Sequence, residues 1–307
     1  MNNNQTTSTI LMIRPVNFGF NEQTAGSNAF QNRNAEQQQV QDKALAEFDA
    51  MVDKLRSNGV EVIVIQDTPI PHTPDSIFPN NWVSFHHDGN VFLYPMMAEN
   101  RRLERREDIL LGLENEFAIK HIIDLSRFEA ENKFLEGTGS MVLDRDHKFA
   151  YACLSPRTDA KVLDEFCKAS GYKPVLFHAV DQNGMDIYHT NVLMCVASNF
   201  VVICMESIKD AAEKAMVIET IAASEKQLVD ITFDQMNHFA GNMLEVNNRQ
   251  GEKLIVMSKS AWDSLNSKQR DALSSFSKPI YADINTIESN GGGSARCMMA
   301  EVHLPRV

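Results

Sequence analysis

Apolar and polar positions along the chain follow one recurring phrase. An extended apolar run is followed by a turn of Asn, Asp or Gly, then a second extended run, a helical stretch and a closing extended run. Short apolar runs bounded by such turns predict strands, and apolar residues at spacings of three and four predict helices. The first copy lacks its opening strand: residues 9–14 are extended, 37–55 helical and 60–65 a buried strand. The second has strands at 82–86 and 91–94 about Asp88-Gly89-Asn90, a charged helix over 101–114 and a strand at 122–125. The third has 141–143 and 149–154 about Asp144-Arg145-Asp146, a helix over 159–170 and a strand at 174–177. The fourth has 192–197 and 200–205 about Ser198-Asn199, a helix over 210–224 and a strand at 227–231. The fifth has 243–246 and 254–258, a helix over 267–276 and a strand at 279–284.

A repeat of about 50 residues points to units that cannot bury their own faces and must stack on neighbours. The expected fold is therefore α/β, with ββαβ units closing into a five-fold ring around a central channel. The polar residues at the mouths of the first strands are Asn80 with Asn81, Glu136, His189 with Asn191, Asn242 and Cys297. Counted from Asn80, their spacings are 56, 53, 53 and 55 residues. In a ring, side chains at equivalent places converge on one axis.

Cys297 follows Gly291-Gly-Gly-Ser-Ala-Arg and is expected to open a hydrophobic strand over 297–302. Consecutive glycines let backbone approach a ligand closely, and an ionised thiol is the strongest ordinary side-chain nucleophile. Taken alone, this stretch reads equally well as a loop before a buried structural cysteine.

Composition narrows the field. Of 307 residues, 43% are apolar and 23% charged, as in a soluble globular protein. No apolar run approaches the roughly 18 residues of a membrane span. Residues 1–8 are expected to form a disordered tail and 9–307 a single catalytic domain. A net charge of −12 excludes nucleic acid and anionic membrane as natural partners. Five cysteines, with no CxxC pair, argue against a disulfide framework or zinc cluster and fit a reducing cytoplasm. Cys153, Cys167, Cys195 and Cys204 read as core. His86-His87 reads as a solvated turn. Neither the glycine triplet nor Gly137-Thr-Gly-Ser140 matches a phosphate-binding fingerprint. No metal and no cofactor are expected.

Glu136, His189 and Cys297, in that order, resemble the guanidine-modifying enzymes of the pentein superfamily, the five-bladed α/β propellers. The matching phrases are Asp75-Ser-Ile-Phe-Pro-Asn-Asn-Trp82, Leu135-Glu-Gly-Thr-Gly-Ser140, Ser155-Pro-Arg-Thr158, Tyr188-His-Thr-Asn191 and Gly291-Gly-Gly-Ser-Ala-Arg-Cys297. Arg14-Pro15 and His238-Phe-Ala-Gly-Asn242 point toward citrulline-utilisation hydrolases and arginine dihydrolases. The resemblance implies a cofactor-free hydrolase of non-peptide C–N bonds in arginine or citrulline, giving citrulline or ornithine and ammonia. It makes Cys297 the nucleophile, forming a covalent thiouronium-type intermediate. His189 becomes the acid and base, and Glu136 orients it and favours its charged form. Arg157 is implied as the α-carboxylate ligand, assisted by Arg101 or Arg102. Asp75, Asn80, Asn81, Asn191 and Asn242 are implied as further substrate contacts.

The chain departs from relatives acting on guanidinium by carrying amides at Asn80, Asn81 and Asn191, where those relatives carry acids. Amides offer donors and acceptors but no charge. A neutral ureido group, as substrate or as retained intermediate, fits such a wall. Two alternatives stand beside this reading: an amidinotransferase with an amine acceptor, and a non-catalytic binding protein of the same fold. The partner expected is a small amino acid, and a homo-oligomer is left open.

Overall fold

The computed structural model describes residues 5–28, 30–31 and 37–307. The chain opens with β1 (Thr9–Arg14) and β2 (Glu61–Gln66), which run parallel with Ile10 opposite Val62. A hairpin of β3 (Val83–Phe85) and β4 (Asn90–Leu93) follows, and β5 (His121–Asp124) lies parallel to β4. The same order recurs in β6 (Val142–Asp144), β7 (Phe149–Cys153) and β8 (Lys173–Phe177). It recurs again in β9 (Met194–Val196), β10 (Phe200–Ile203) and β11 (Gln227–Asp230). The last full copy is β12 (Leu244–Asn247), β13 (Lys253–Ser258) and β14 (Lys278–Ala282).

The opening strand missing from the first copy comes from the other end of the chain. β15 (Ala300–Glu301) pairs antiparallel with β1, Ile10 facing Glu301 and Leu11 facing Ala300. Among the described residues this makes five three-stranded sheets, each an antiparallel pair extended by one parallel strand. β3 lies against β15, β6 against β9, and β9 against β12.

A parallel strand can be reached only by a crossover, and helices provide it. They are Gln37–Ser57, Glu107–Leu113, Ala160–Ser170, Ala211–Ala223, and the pair Lys259–Ser264 and Ser267–Ser274. Their ends are written in the sequence: Asp159 and Asp210 cap N-termini, Asn266 and Gln269 form a capping box, and Gly171 closes a helix at φ 76°. Phe166, on Ala160–Ser170, packs against Phe92 of the preceding sheet with ring centroids 4.9 Å apart, which ties neighbouring units together.

Several expectations change here. The helix expected over 101–114 is two pieces, Glu99–Arg102 and Glu107–Leu113, with the buried Arg101–Glu104 pair at the break. The strand expected from Cys297 is only β15. Of the polar residues expected to open strands, Asn80 and Asn81 lie in the helical turn Pro79–Asn81, while Glu136 and His189 cap the turns Gly137–Ser140 and Thr190–Leu193. Period-two patterning cannot register a helix of three or four residues. His86 is buried rather than solvated: its Nε2 lies 2.9 Å from Ser84 Oγ, and burial holds it well below the usual histidine range. Cys153, Cys167, Cys195 and Cys204 are buried and unbridged. Among the described residues no helix is long and apolar enough to cross a membrane, and no cluster of His, Cys, Asp or Glu is arranged to hold a metal.

Of the tail expected over 1–8, residues 1–4 lie outside the described residues, and Gln5 is anchored. Its Nε2 donates to Leu143 O and Val196 O, both at 3.0 Å, and its Oε1 accepts from Arg145 N at 2.7 Å. One side chain thus clasps the third and fourth units. Replacing it leaves buried backbone groups unpaired, at roughly 1–3 kcal/mol. Gln5→Ala is expected to lower unfolding stability by about that amount in urea melts; an unchanged midpoint would show that the clasp contributes nothing.

Candidate active site

The short helical turns before β3, β6 and β9 meet. Thr138 Oγ1 donates to Asn80 O at 3.3 Å, and Thr190 Oγ1 donates to Ser140 O at 2.5 Å. Such close approach needs glycine. A Cβ on Gly137, which sits at φ +49°, would fall 2.3 Å from Asn80 O. A Cβ on Gly139 would fall 2.3 Å from Asn81 Nδ2 and 2.8 Å from His189 Nδ1.

Glu136 and His189 stand at the starts of two of these turns. His189 Nε2 lies 2.8 Å from Glu136 Oε2, while Glu136 Oε1 accepts the backbone N–H of Met97 at 2.9 Å. Arg157 Nη1 is 3.5 Å from the same Oε2. Burial opposes charge on Glu136, but Arg157 and His189 outweigh it and hold the carboxyl well below the usual range. Burial pushes His189 down to about 4 against the pull of Glu136, so the carboxylate orients the ring without making it cationic. Glu136 pulls toward the charged imidazole as expected, and burial outweighs that pull. A neutral imidazole facing an ionised carboxylate carries its proton on Nε2, which leaves Nδ1 as the basic atom.

Cys297 arrives from another direction. The helix Asn285–Gly291 stops at Gly292, φ 66°, and the chain turns so that Cys297 N–H donates to Ser294 O at 2.9 Å. The sulfur lies on a cavity of about 10 Å³ that His189 also lines. Asp75, Asn81, Arg101 and Arg157 complete its polar wall; Thr24, Asn28, Phe78, Tyr188 and the three glycines cover the rest. A recess of about 690 Å³ lies beyond Ser27 and Tyr188, sharing Tyr188 with the small cavity. Cys297 and His189 both line the smaller one.

The remaining expected residues divide. Arg101 is buried and fully engaged, donating to Glu104 through Nε and Nη2 (both 2.9 Å) and to Asn81 Oδ1 through Nη1 (2.8 Å). Burial pushes Glu104 up to about 7 against the pull of Arg101. Asp75 Oδ2 accepts from Asn21 Nδ2 at 2.7 Å, and burial raises this carboxyl above its ordinary range against the pull of Arg101. Asp75 Oδ1, Asn81 Nδ2 and both side-chain polar atoms of Asn80 are buried without partners among the described residues. Arg102 is directed away: its Nε donates to Met96 O at 3.0 Å and it pairs with Glu129, so it does not reach the cavity. Asn191 and Asn242 do not line the cavity; their amides reach the sulfur of Cys297.

Sequence reading passed over the segment from Asn21 to Asn28, which roofs the site. Arg157 donates to Thr24 O at 3.0 Å and Ser27 Oγ at 2.6 Å, and Asn28 Nδ2 reaches Gly292 O at 3.4 Å. It also gave no role to Tyr188, whose OH donates to Gly292 O at 2.6 Å and whose ring lies under Arg157. The Asn21 cap of the helix Glu22–Ala25 was the one local signal available.

The depressed pKa of His189 has a measurable consequence. Between about pH 4 and 6.5 the unfolded chain binds a proton at this residue that the native state does not, so stability rises with pH through that window. One such proton contributes a slope of up to about 1.4 kcal/mol per pH unit. His189→Asn is expected to flatten the urea-midpoint profile there; an equally steep profile would contradict the assignment.

The family described as "N,N dimethylarginine dimethylhydrolase, eukaryotic" matches residues 14–304 of the chain. No curated protein matches it significantly by sequence. Among solved structures it is similar to the N-terminal domain of ArgZ, an arginine dihydrolase from the ornithine–ammonia cycle in cyanobacteria, crystallised with substrate. The TM-score is 0.76 at 17% identity, covering 97% of this chain and 98% of that domain. Against whole ArgZ the TM-score is 0.75 at 16% identity, and the match spans only 41% of that chain. A dimethylarginine dimethylaminohydrolase bearing an S-methyl-L-thiocitrulline adduct matches with a TM-score of 0.62 at 14% identity, covering 95% of this chain and 98% of that one. At these identities the structural likeness is one of fold.

Proposed function

Since the chain belongs to the N,N-dimethylarginine dimethylhydrolase family, we propose that it hydrolyses C–N bonds of a guanidino or ureido amino acid, with Cys297 as the nucleophile. The observation that carries this reading is the single small cavity lined by a thiol and a carboxylate-oriented imidazole, with Asp75 and Asn81 in its wall. The fold reading that goes with it is a ring of five ββαβ units within one domain, 9–307. Its support is a chain of contacts from turn to turn. Thr138 reaches Asn80, Thr190 reaches Ser140, Asn242 reaches both Asn191 O and Arg296 N–H, and β15 lies beside Pro79–Asn81.

In the reaction, Cys297 first passes its proton to Nδ1 of His189, and the thiolate sulfur then adds to the central carbon. Nδ1 delivers the proton to the departing nitrogen as that C–N bond breaks, releasing ammonia and leaving the amidino carbon bonded to sulfur. Water then gives a proton to Nδ1, its oxygen bonds to the carbon, and the C–S bond breaks; the Nδ1 proton returns to the sulfur, and the remaining hydroxyl proton passes to ammonia. A guanidinium and one water become a ureido group and ammonium. Neutral Nδ1 suits this two-way work, and Glu136 keeps the ring in the required tautomer.

The unpaired polar atoms favour a substrate of this class. Asp75 Oδ1 is an acceptor for guanidinium N–H groups. Asn81 Nδ2, its orientation set by Arg101 holding Oδ1, is a donor for a ureido carbonyl oxygen. A wall carrying both suits arginine taken first to citrulline and then, by a second hydrolysis, to ornithine. A cavity of about 10 Å³ has room for about one water, so substrate binding requires the Asn21–Asn28 segment to swing away. That movement frees the Arg157 fork from Thr24 and Ser27 for an α-carboxylate.

Arginine and citrulline supplied separately, with ammonia, citrulline and ornithine assayed, test this reading. Ornithine is expected from citrulline, and Cys297→Ala is expected to abolish turnover while melting as the wild type does. Wild-type turnover by that variant would exclude Cys297 as nucleophile, and no hydrolysis of either substrate would exclude the substrate class.

A further inference from the structure

Cys297 Sγ is reached by two amides. Asn242 Nδ2 lies 3.2 Å from it and Asn191 Nδ2 lies 3.3 Å from it. The orientation of Asn242 is set by its neighbours. Its Oδ1 accepts the Arg296 backbone N–H at 3.0 Å and, while Cys297 is protonated, also accepts the thiol hydrogen at 3.7 Å. Nδ2 has two hydrogens; one goes to Asn191 O at 2.9 Å and the other faces the sulfur. Asn191 turns its Nδ2 to the same atom even though its Oδ1 is left buried without a partner among the described residues. His189, by contrast, directs Nε2 to Glu136.

A neutral thiol is a weak acceptor with one hydrogen of its own to place. Two N–H groups converging on one sulfur form the surroundings of an anion, where each hydrogen bond is charge-assisted and about twice as strong as a neutral one. We propose that Asn242 and Asn191 form an amide clamp that stabilises Cys297 as a thiolate and aims it into the cavity. They act as positioning residues of the nucleophile rather than as contacts to substrate. The inference rests on the reading of Cys297 as nucleophile. The clamp works twice per cycle, when the sulfur begins to attack and when the C–S bond breaks and charge returns to sulfur.

The test uses the free enzyme and needs no turnover, so its outcome is separate from the fate of the substrate assignment. Iodoacetamide forms an S–C bond to the thiolate and releases iodide. The rate of that reaction at the Cys297 peptide, followed by mass spectrometry across pH, reports where the sulfur ionises. For Asn242→Ala and Asn191→Ala the midpoint is expected to rise by about one pH unit, with alkylation about tenfold slower below it. Asn242→Asp keeps the shape and the acceptor for Arg296 N–H but replaces a donor with negative charge, and is expected to raise the midpoint further than Asn242→Ala. A purely structural role predicts the opposite order, with the near-isosteric Asp milder than Ala. Wild-type midpoints in the folded variants, or that opposite order, would overturn the clamp. If Asn242→Ala does not fold, Asn191→Ala and Asn242→Asp carry the same decision.

Discussion

A carboxylate shut away from water must be neutralised where it stands, and Glu136 imposes that condition on everything around it. It is fully buried, so an ionised Glu136 without partners would be prohibitively unfavourable. Arg157 supplies the charge, His189 and the Met97 N–H supply hydrogen bonds, and each of these comes from a different stretch of the chain. Meeting one electrostatic requirement therefore fixes three elements relative to one another. It also fixes the orientation of the imidazole, whose Nε2 is held against that carboxylate.

The same requirement explains the roof. Arg157 is drawn to Glu136 at one end of its fork and to Thr24 and Ser27 at the other, so the Asn21–Asn28 segment is held down by the cation that neutralises the site. In the proposed function, opening the site and freeing Arg157 for a carboxylate are one movement. Arg101 plays no such part: Glu104, Asp75 and Asn81 engage it on all sides, and it works as a buried strut that sets the Asn81 amide.

Much of this was legible in the chain. Glu136, His189, Asn242 and Cys297 recur at nearly equal spacing because each marks the same place in successive units, and spacing survives where sequence identity does not. The strand pairs and most crossover helices were legible because their apolar periods and caps are local. What was not legible depends on direction or distance. Arg101 and Arg102 are adjacent in a helical turn, and only coordinates show that the first points inward. Whether Asn191 faces substrate or sulfur depends on a one-turn helix too short to leave a period. The roof over 21–28 is irregular and has no period to read. Gln5 is tied to the sheets through backbone groups more than a hundred residues away, and β15 is two residues long.

The central claim is that the amidino carbon of the substrate passes through a bond to Cys297. Acid-quenching the enzyme during turnover of arginine and mapping its peptides by mass spectrometry tests this directly. The account predicts that the peptide containing Cys297, and no other cysteine peptide, carries the mass of the substrate less ammonia. Active turnover with every cysteine peptide unmodified in samples quenched throughout the cycle, or with the adduct on another residue, would contradict it.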